Sequence, residues 1–250
     1  MEPRRSLVAW AITGAGHYLR ESVEILNNLV ESQVPTVVYI SRAGKDVLRM
    51  YNLLDRVESL RSRGTELIYE DEESPSFPRT GKVYIDVRLV IVSPTTLNTL
   101  AKIASGICDS LVSNLVAHAL KARVPVMLVV PDLDCPLESE VPIMIYRAIC
   151  RECDERCVAS DACPRGAIYM GPDGLPHIDM SRCDRCGACV EKCPHGAIKI
   201  SGKVMVYPHP LLASLVERVR SMGIVVFSNP SSLLSSMVMR NLIGAPYSGQ

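Results

Sequence analysis

The chain has 250 residues, a length suited to one or two domains, and 48% of them are apolar, which is enough for a sizeable core. Its 27 basic and 27 acidic residues give a formal net charge of zero, which argues against a nucleic-acid partner or an acidic membrane surface. The longest apolar stretches are too short to cross a bilayer, and the residues after Met1 do not resemble a signal peptide. We therefore expect a cytoplasmic protein with no nucleic-acid partner and no membrane partner.

Apolar strands alternate with helices along most of the chain. Strands are predicted at residues 5–13, 34–41, 66–70, 87–93, 124–130 and 223–227. Helices are predicted at residues 18–30, from 42 to beyond 50, at 98–123 (with a break at Gly106), 211–222 and 231–240. Continuous apolar strands of this kind are typical of a parallel sheet that helices cover on both faces. We therefore predict an α/β fold.

Eight of the ten cysteines lie between residues 150 and 193. The second half of this segment reads C-x-x-C-x-x-C-x-x-x-C-P from Cys183 to Pro194, which is the run by which bacterial ferredoxins bind iron–sulfur clusters. A looser copy precedes it, with cysteines at 150, 153, 157 and 163. Both copies end in C-P-x-G-A-I. The duplication predicts an electron-delivery module.

In two-cluster ferredoxins the C-P cysteine of each run ligates the cluster of the other run. One predicted [4Fe-4S] cluster therefore takes Cys163, Cys183, Cys186 and Cys189. The other takes Cys150, Cys153, Cys157 and Cys193. The irregular spacing of the first run leaves the type of its cluster open. A pair of zinc sites is the alternative, because C-x-x-C pairs also bind zinc.

The cysteine module interrupts the α/β pattern, which resumes after it. We place an inserted, small α+β ferredoxin-type domain at residues 147–206, and the α/β domain at residues 1–146 and 207–250. Within the insert, two hairpins are predicted, one joining residues 167–170 to 177–179 and one joining 197–200 to 204–207. Gly171-Pro-Asp-Gly and Ser201-Gly supply their turns.

Small or hydroxyl residues follow three of the predicted strands, at Thr13–Gly16, Ser41–Gly44 and Ser93–Thr99. Such turns suit a phosphate, which binds backbone N–H groups at a helix N-terminus, although helix capping explains the hydroxyls equally well. No G-x-G-x-x-G follows the first strand, which disfavours a nicotinamide dinucleotide. A flavin fits better beside iron–sulfur clusters, because it passes single electrons on to two-electron chemistry.

The segment Pro94–Thr99 (PTTLNT) resembles the P-A-S-A-N-T motif of the homo-oligomeric flavin-containing cysteine decarboxylases. Residues 11–18 (AITGAGHY) and 41–51 (SRAGKDVLRMY) resemble the archaeal flavoprotein branch that includes dihydromethanopterin reductase (acceptor). The resemblance implies a flavodoxin-like (Rossmann-like) fold and a homo-oligomer that binds FMN. It also implies which residues hold the FMN: Gly14, Ala15, Ser41, Thr95, Thr96, Asn98 and Thr99.

The chain departs from the decarboxylases at two places. Residues 81–88 lack the histidine that precedes P-A-S-A-N-T in that family, and Val130–Cys135 replaces its substrate clamp. Decarboxylation is therefore disfavoured. Residues 98–109 and 120–126 also resemble flavin prenyltransferases, but that chemistry needs no electron-delivery module.

We therefore predict an iron–sulfur flavoprotein oxidoreductase. Electrons would pass from an external donor, a ferredoxin or similar reductase, through two [4Fe-4S] clusters to FMN and on to a dihydropterin-like small molecule. The alternatives are an electron-transfer flavoprotein with no small substrate and a flavin prenyltransferase-like protein. No catalytic side chain is predicted: His17 is interpreted as a capping or oligomer-contact residue, Tyr18 as a core or interface residue, and Met237–Met239 as helix packing.

Overall fold

The computed structural model describes residues 6–153, 156–180, 182–236 and 241. Its strands are β1 (Leu7–Ile12), β2 (Thr36–Ile40), β3 (Glu66–Tyr69), β4 (Val87–Val92), β5 (Val126–Val129), β6 (Leu137–Ile145), β7 (Ile168–Met170), β8 (Pro176–Ile178), β9 (Ile198–Val206) and β10 (Val225–Phe227). Six of them form a parallel sheet in the order β10-β5-β4-β1-β2-β3. The predicted parallel α/β sheet is confirmed.

Helices cover both faces of this sheet. The helices are α1 (Leu19–Glu31), α2 (Arg42–Met50), α3 (Leu54–Glu58), α4 (Leu97–Ser105), α5 (Leu111–Lys121), α6 (Arg147–Arg151), α7 (Val158–Asp161), α8 (Ala188–Lys192), α9 (Leu212–Ser221) and α10 (Pro230–Leu234). Of these, α6, α7 and α8 belong to the cysteine-rich part and do not cover the sheet. Along β1 the side chains alternate between two cores: Ala9 and Ala11 pack with α4, α5 and α9, whereas Trp10 and Ile12 pack with α1 to α3 and α10. The central strands are therefore buried on both faces, as their unbroken apolar sequence requires.

Two helix boundaries follow from local backbone chemistry. The predicted helix over residues 98–123 is two helices, because Gly106 ends α4 in the left-handed region at φ +71°. The last predicted helix appears as α10, and residues 237–240 of that prediction, with Met237 and Met239, lie outside the described residues. None of the helices in the described ranges is long and apolar enough to cross a membrane.

The cysteine-rich part contains two small antiparallel pairs. The hairpin of β7 and β8 is confirmed, with Ile168 opposite Ile178. The second predicted hairpin is wrong, because β9 runs without a turn through Gly202 and pairs along its length with β6, from Leu137 opposite Val206 to Ile145 opposite Ile198. The pairing partner of β9 is thus β6, which precedes the cysteine module in the chain, and no turn forms at Ser201-Gly202. We call this pair the β6–β9 arm; the division into domains at residues 146 and 206 stays a prediction.

Candidate functional site

A cavity of about 600 Å³ opens at the carboxyl edge of the sheet, beyond β1, β2 and β4. The segments at the start of α2, α4 and α5 all reach it. Its lining includes Thr13, Gly14, Ser41, Ala43, Glu70, Thr96, Asn98, Thr99 and Ser110. In open α/β sheets this edge is where ligands bind, and helix N-termini there favour an anionic group. We call this space the edge cavity.

The hydroxyl groups at this edge cap the helices and also tie the loops together. Ser41 Oγ accepts a hydrogen bond from Gly44 N (3.0 Å), and Thr96 Oγ1 accepts one from Thr99 N (3.2 Å). Thr13 Oγ1 accepts from Thr96 N (2.9 Å) and donates to the carbonyl of Pro94 (2.7 Å). The capping interpretation therefore holds for both turns, and the β4–α4 loop is fastened to the end of β1.

Close backbone packing explains the glycines of the first two turns. A Cβ added at Gly14 would lie 2.7 Å from Ala43 Cβ, and one added at Gly44 would lie 2.6 Å from the carbonyl oxygen of Ile12. Larger residues cannot occupy these positions without moving the backbone. The glycines therefore allow the first two turns to pack closely against each other and against the end of β1.

Glu70 limits where an anion can bind. Its carboxylate accepts hydrogen bonds from Arg42 N (2.8 Å) and Leu111 N (3.0 Å), and so bridges the first N–H groups of α2 and α5. A phosphate in the edge cavity would therefore use other donors or compete with Glu70 for these two. With that restriction, the residues present fit an FMN.

The residues predicted to hold FMN fall at different depths. Gly14, Ser41, Thr96, Asn98 and Thr99 line the edge cavity, and Ala15 lines a second cavity beside it. Thr95 is fully buried, donating its hydroxyl to the Val92 carbonyl (2.9 Å) and its N–H to the Val129 carbonyl (2.7 Å). Because its hydroxyl and N–H groups bond to the strands of the sheet, Thr95 anchors the β4–α4 loop and does not line the cavity.

The second cavity, about 260 Å³, shares Thr96 with the edge cavity, and we call it the arm cavity. It is lined mainly by the β1–α1 loop, the turn after β5 and the β6–β9 arm. Its lining includes Ala15, Gly16, His17, Leu97, Pro131, Asp132, Cys135, Leu137, Ser139 and Val206. Sequence reasoning did not single out Asp132; its place directly after a parallel strand was the available signal.

Asp132, an acid, and His17, a base, both line the arm cavity. Burial raises the pKa of the Asp132 carboxyl above its ordinary value, and the imidazoles of His17 and His209 oppose that shift. His17 Nε2 is buried, and no hydrogen-bond partner for it occurs within the described residues.

Asp134, in the same turn, has the opposite environment. Partial burial would raise its pKa, but hydrogen bonds from Tyr18, Ser228 and Asn229 outweigh burial and leave the pKa lowered. The Tyr18 hydroxyl donates to Asp134 Oδ2 at 2.8 Å, and burial followed by this bond raises the pKa of Tyr18 to about 12. Asp134 is thus an ionised structural group that joins α1 to the turn after β5.

The structure brings the eight cysteines into two groups. Burial first, and then the neighbouring thiols of Cys183, Cys163 and Cys186, raise the pKa of Cys189. Likewise, burial and then Cys157, Cys193 and Cys153 raise the pKa of Cys150, and these four cysteines line a cavity of about 370 Å³. Each group joins three cysteines of one run to the C-P cysteine of the other.

Backbone N–H groups point at one of these sulfurs, as ligands of iron–sulfur clusters require. Cys163 Sγ accepts a hydrogen bond from Ala167 N at 3.2 Å. Burial alone would raise the pKa of Cys163, but N–H groups of Ala167, Arg165 and Ile168 bring it below its ordinary value. In the described ranges no three His, Cys, Asp or Glu side chains stand close enough to bind a single metal ion. An iron–sulfur cluster is larger than one ion, so its four cysteines stand farther apart.

The cysteine-rich part touches the α/β domain at Tyr51. The Tyr51 hydroxyl donates to the carbonyl of Glu140 on β6 (2.7 Å), and its ring lies against Gly16. Burial raises the pKa of Tyr51, and the charge of Arg185, between Cys183 and Cys186, opposes the shift. A cleft beside it is lined by Arg49 and Asp55 on one side and by Arg165, Arg182 and Asp184 on the other. The loop of one cysteine group therefore faces α2 and α3.

Comparison with known protein families agrees with this two-part organisation. The Flavoprotein family model matches residues 1–147, and the 4Fe-4S binding domain model matches residues 176–199. The second match contains the run from Cys183 to Cys193 and excludes the first run. A parallel sheet with this edge and an attached 4Fe-4S binding domain define an iron–sulfur flavoprotein of the oxidoreductase class.

Individual relatives narrow the assignment. Dihydromethanopterin reductase (acceptor) from Methanosarcina mazei is 38% identical over 233 residues, which cover 91% of this chain and 97% of the relative. The enzyme of that name from Methanocaldococcus jannaschii is 38% identical over 168 residues, 64% of this chain and 67% of the relative. The chain belongs to the flavoprotein family, in the branch that includes these dihydromethanopterin reductases.

A solved structure supports the fold. DmrB from Burkholderia xenovorans, solved in complex with FMN and described as a cubic protein cage for redox transfer, has a TM-score of 0.60 to this chain. The match covers 95% of this chain and 96% of that chain at 20% identity. The flavodoxin-like architecture is thus confirmed for the α/β domain.

Proposed function

We propose that the protein reduces a dihydropterin, with FMN at the edge cavity and with electrons supplied through two [4Fe-4S] clusters. The observation that carries this proposal is the arm cavity, which lies between the flavin-type sheet edge and the arm that bears the cysteine groups. A protein that only relays electrons between protein partners has no need of a cavity at that point. The dihydropterin is the substrate named by the relatives in this branch.

FMN, when bound, supplies hydride transfer and takes up electrons singly. This chain's contribution is to hold and orient it. Gly14 and Gly44 keep the two turns close, the Thr13–Thr96 hydrogen bond fixes the β4–α4 loop, and Glu70 sets which N–H groups stay open. Helix N-termini at this edge favour the phosphate end of the cofactor.

The two cysteine groups have unequal positions, which supports an order for the clusters. The loop of Cys183 and Cys186 faces α2 and α3 and places Arg185 near Tyr51, which itself lies on Gly16 of the flavin-side loop. The cavity of the other group is lined by residues of the cysteine-rich part, including Cys150 and His195. We therefore assign Cys163, Cys183, Cys186 and Cys189 to the cluster nearer the flavin, and Cys150, Cys153, Cys157 and Cys193 to the outer cluster that meets the external donor.

Self-association completes the proposal. Large apolar side chains stand exposed at several places, among them Ile85 (60% exposed), Ile107, Leu211 and Tyr207 (71% exposed). The solved structure of DmrB, described as a cubic protein cage, supports self-association of a chain with this fold. We propose a homo-oligomer in the cytoplasm that takes electrons from a ferredoxin or similar reductase.

A flavin re-oxidation assay tests the reaction. The protein is purified without oxygen, its flavin is reduced chemically, and dihydromethanopterin or dihydrofolate is added while flavin absorbance is followed. Re-oxidation within seconds, absent in a control without pterin, is expected. A flavin that stays reduced with both substrates would instead indicate an electron carrier. Chemical reduction bypasses the clusters, so the result does not depend on the donor.

A further inference from the structure

We propose that Asp132 is the proton donor to the substrate and that His17 holds the substrate beside it in the arm cavity. This inference rests on the proposed function, because it names the groups that complete the reduction of a dihydropterin. It follows from the position of the cavity, from the different environments of two neighbouring carboxyl groups, and from a buried nitrogen without a partner.

Reduction of a C=N bond needs more than a reduced flavin. A hydride, with two electrons, forms a new C–H bond at carbon, and a proton must form an N–H bond at the neighbouring nitrogen. The O–H bond of a carboxylic acid that breaks in this step leaves a carboxylate, which solvent then reprotonates. A side chain suited to the step is a carboxyl group whose pKa is raised above its ordinary value and which stands beside the flavin site.

The turn after β5 offers two carboxyl groups, and their surroundings differ. Asp134 accepts hydrogen bonds from Tyr18 at 2.8 Å and from Asn229 at 3.3 Å, and it is held ionised. The Asp132 carboxyl has no hydrogen-bond donor from the described part of the chain and lines the arm cavity. Burial disfavours the charged form of a carboxyl group. Its effect on the pKa therefore prevails at Asp132, whereas hydrogen bonds outweigh it at Asp134. Two carboxyl groups with opposed environments divide structural and acid roles.

Titratable side chains from several neighbouring segments face Asp132. His17 approaches from the β1–α1 loop and His209 from the segment after β9, while Asp134 and Cys135 belong to the same turn. Leu137, Ser139 and Val206 of the β6–β9 arm add no charge. The arm thus buries one side of Asp132 without adding a charged group there, and the imidazoles of His17 and His209 oppose the rise in its pKa.

His17 provides the second contact. The His17 side chain lines the arm cavity, and its buried Nε2 atom has no partner in the described ranges, a state that is rare for a polar atom. Together, a carboxyl group and an imidazole nitrogen suit a planar heterocycle with neighbouring ring nitrogens. The cavity adjoins the edge cavity across Thr96, so a ring bound there lies next to the predicted FMN site.

The test compares Asp132→Asn, Asp132→Glu and His17→Gln with a matched carboxylate control, Glu138→Gln. Glu138 is exposed on β6, is paired with Lys203 at 3.1 Å, and lies outside the cavity. Each protein is loaded with FMN and reduced chemically. The rate of flavin re-oxidation by dihydrofolate or dihydromethanopterin is measured from pH 5 to 9, and pterin affinity for the oxidised protein is measured separately by calorimetry.

We expect the wild-type rate to be constant at low pH and to fall as the pH rises through the Asp132 pKa, because the acid form donates the proton. Asp132→Asn should slow re-oxidation about 10²- to 10⁴-fold and abolish that fall, with pterin affinity nearly unchanged. Asp132→Glu should restore part of the rate together with the pH dependence. His17→Gln should weaken pterin binding about 3- to 10-fold, the worth of one hydrogen bond. Glu138→Gln should match the wild type.

Two results overturn the inference alone: an Asp132→Asn protein with the wild-type rate and pH profile, or one that loses pterin affinity while the rate of its bound complex is unchanged. No re-oxidation of the wild-type protein by either pterin overturns the proposed function, and this inference with it. The two failures are therefore distinguishable in one set of measurements.

Discussion

Gly16→Ala should loosen the contact between the flavin-side loop and the β6–β9 arm. A methyl group at residue 16 would lie 2.8 Å from Cζ and 2.9 Å from Cε2 of Tyr51, so the ring must move away. The ring is anchored by its 2.7 Å hydrogen bond to the carbonyl of Glu140, which the movement breaks. The structure thus predicts a loss of packing and of one hydrogen bond from a single added methyl group.

The size of the effect follows from three contributions. Crowding at the mobile end of a side chain falls at the low end of overpacking costs, about 1 kcal/mol. The lost hydrogen bond contributes about 0.5–1.5 kcal/mol, and the lower entropy of unfolded alanine returns about 0.4–1 kcal/mol. The free energy of unfolding should therefore fall by about 1 kcal/mol, which lowers the Tm by about 2–4 °C in a chain of this size.

The assay is thermal unfolding of the cofactor-loaded protein without oxygen, for Gly16→Ala in the wild-type and Tyr51→Leu backgrounds. In Tyr51→Leu the methyl group has no ring to displace, so Gly16→Ala should no longer lower the Tm. Gly81→Ala is the matched control, since a Cβ there meets nothing within 4 Å. An equal fall in both backgrounds, or a rise in the wild type, would refute the proposed contact.

Cys186→Ser and Cys153→Ser should each remove about half of the bound iron, because each cysteine belongs to a different group of four. Iron analysis of the two variants checks this against Cys108→Ser, whose thiol lies outside both groups; a loss of all iron from either variant would contradict two separate clusters. Thr96→Ala should lower stability by about 0.5–2 kcal/mol through loss of the cap on α4 and should also lower the ratio of FMN to protein. Absorbance and Tm measure both quantities, and full FMN retention would remove Thr96 from the cofactor site.

Local patterns predicted most of the fold. Apolar runs and the turns that end them depend on neighbours in the chain, so the parallel strands, α1 and the break at Gly106 were all foreseeable. The cysteine motif, compared with two-cluster ferredoxins, likewise predicted two groups that each take one cysteine from the other run. The family match over residues 176–199 supports iron–sulfur binding by the second run, and the count of two clusters stays a prediction.

The second hairpin failed for the opposite reason. Ser201-Gly202 has the composition of a turn, but β9 continues through it because β6 offers a partner along its whole length. Pairing between segments that the entire cysteine module separates leaves no mark in either segment alone. Local turn propensity is a weak preference, and a continuous ladder of backbone hydrogen bonds outweighs it.

By itself, the sequence determined the class of the fold and the glycine and hydroxyl turns at the sheet edge, since each depends on residues close together in the chain. The ferredoxin motif predicted the cysteine groups, although each group joins the two runs. Only the tertiary structure decided which side chains share the arm cavity. His17 follows β1 and Asp132 follows β5, and the strand order β5-β4-β1 brings the carboxyl ends of those strands to one edge. The physical reason is that burial acts on both carboxyl groups, whereas hydrogen bonds from other side chains outweigh it at Asp134, and both effects are properties of the folded chain.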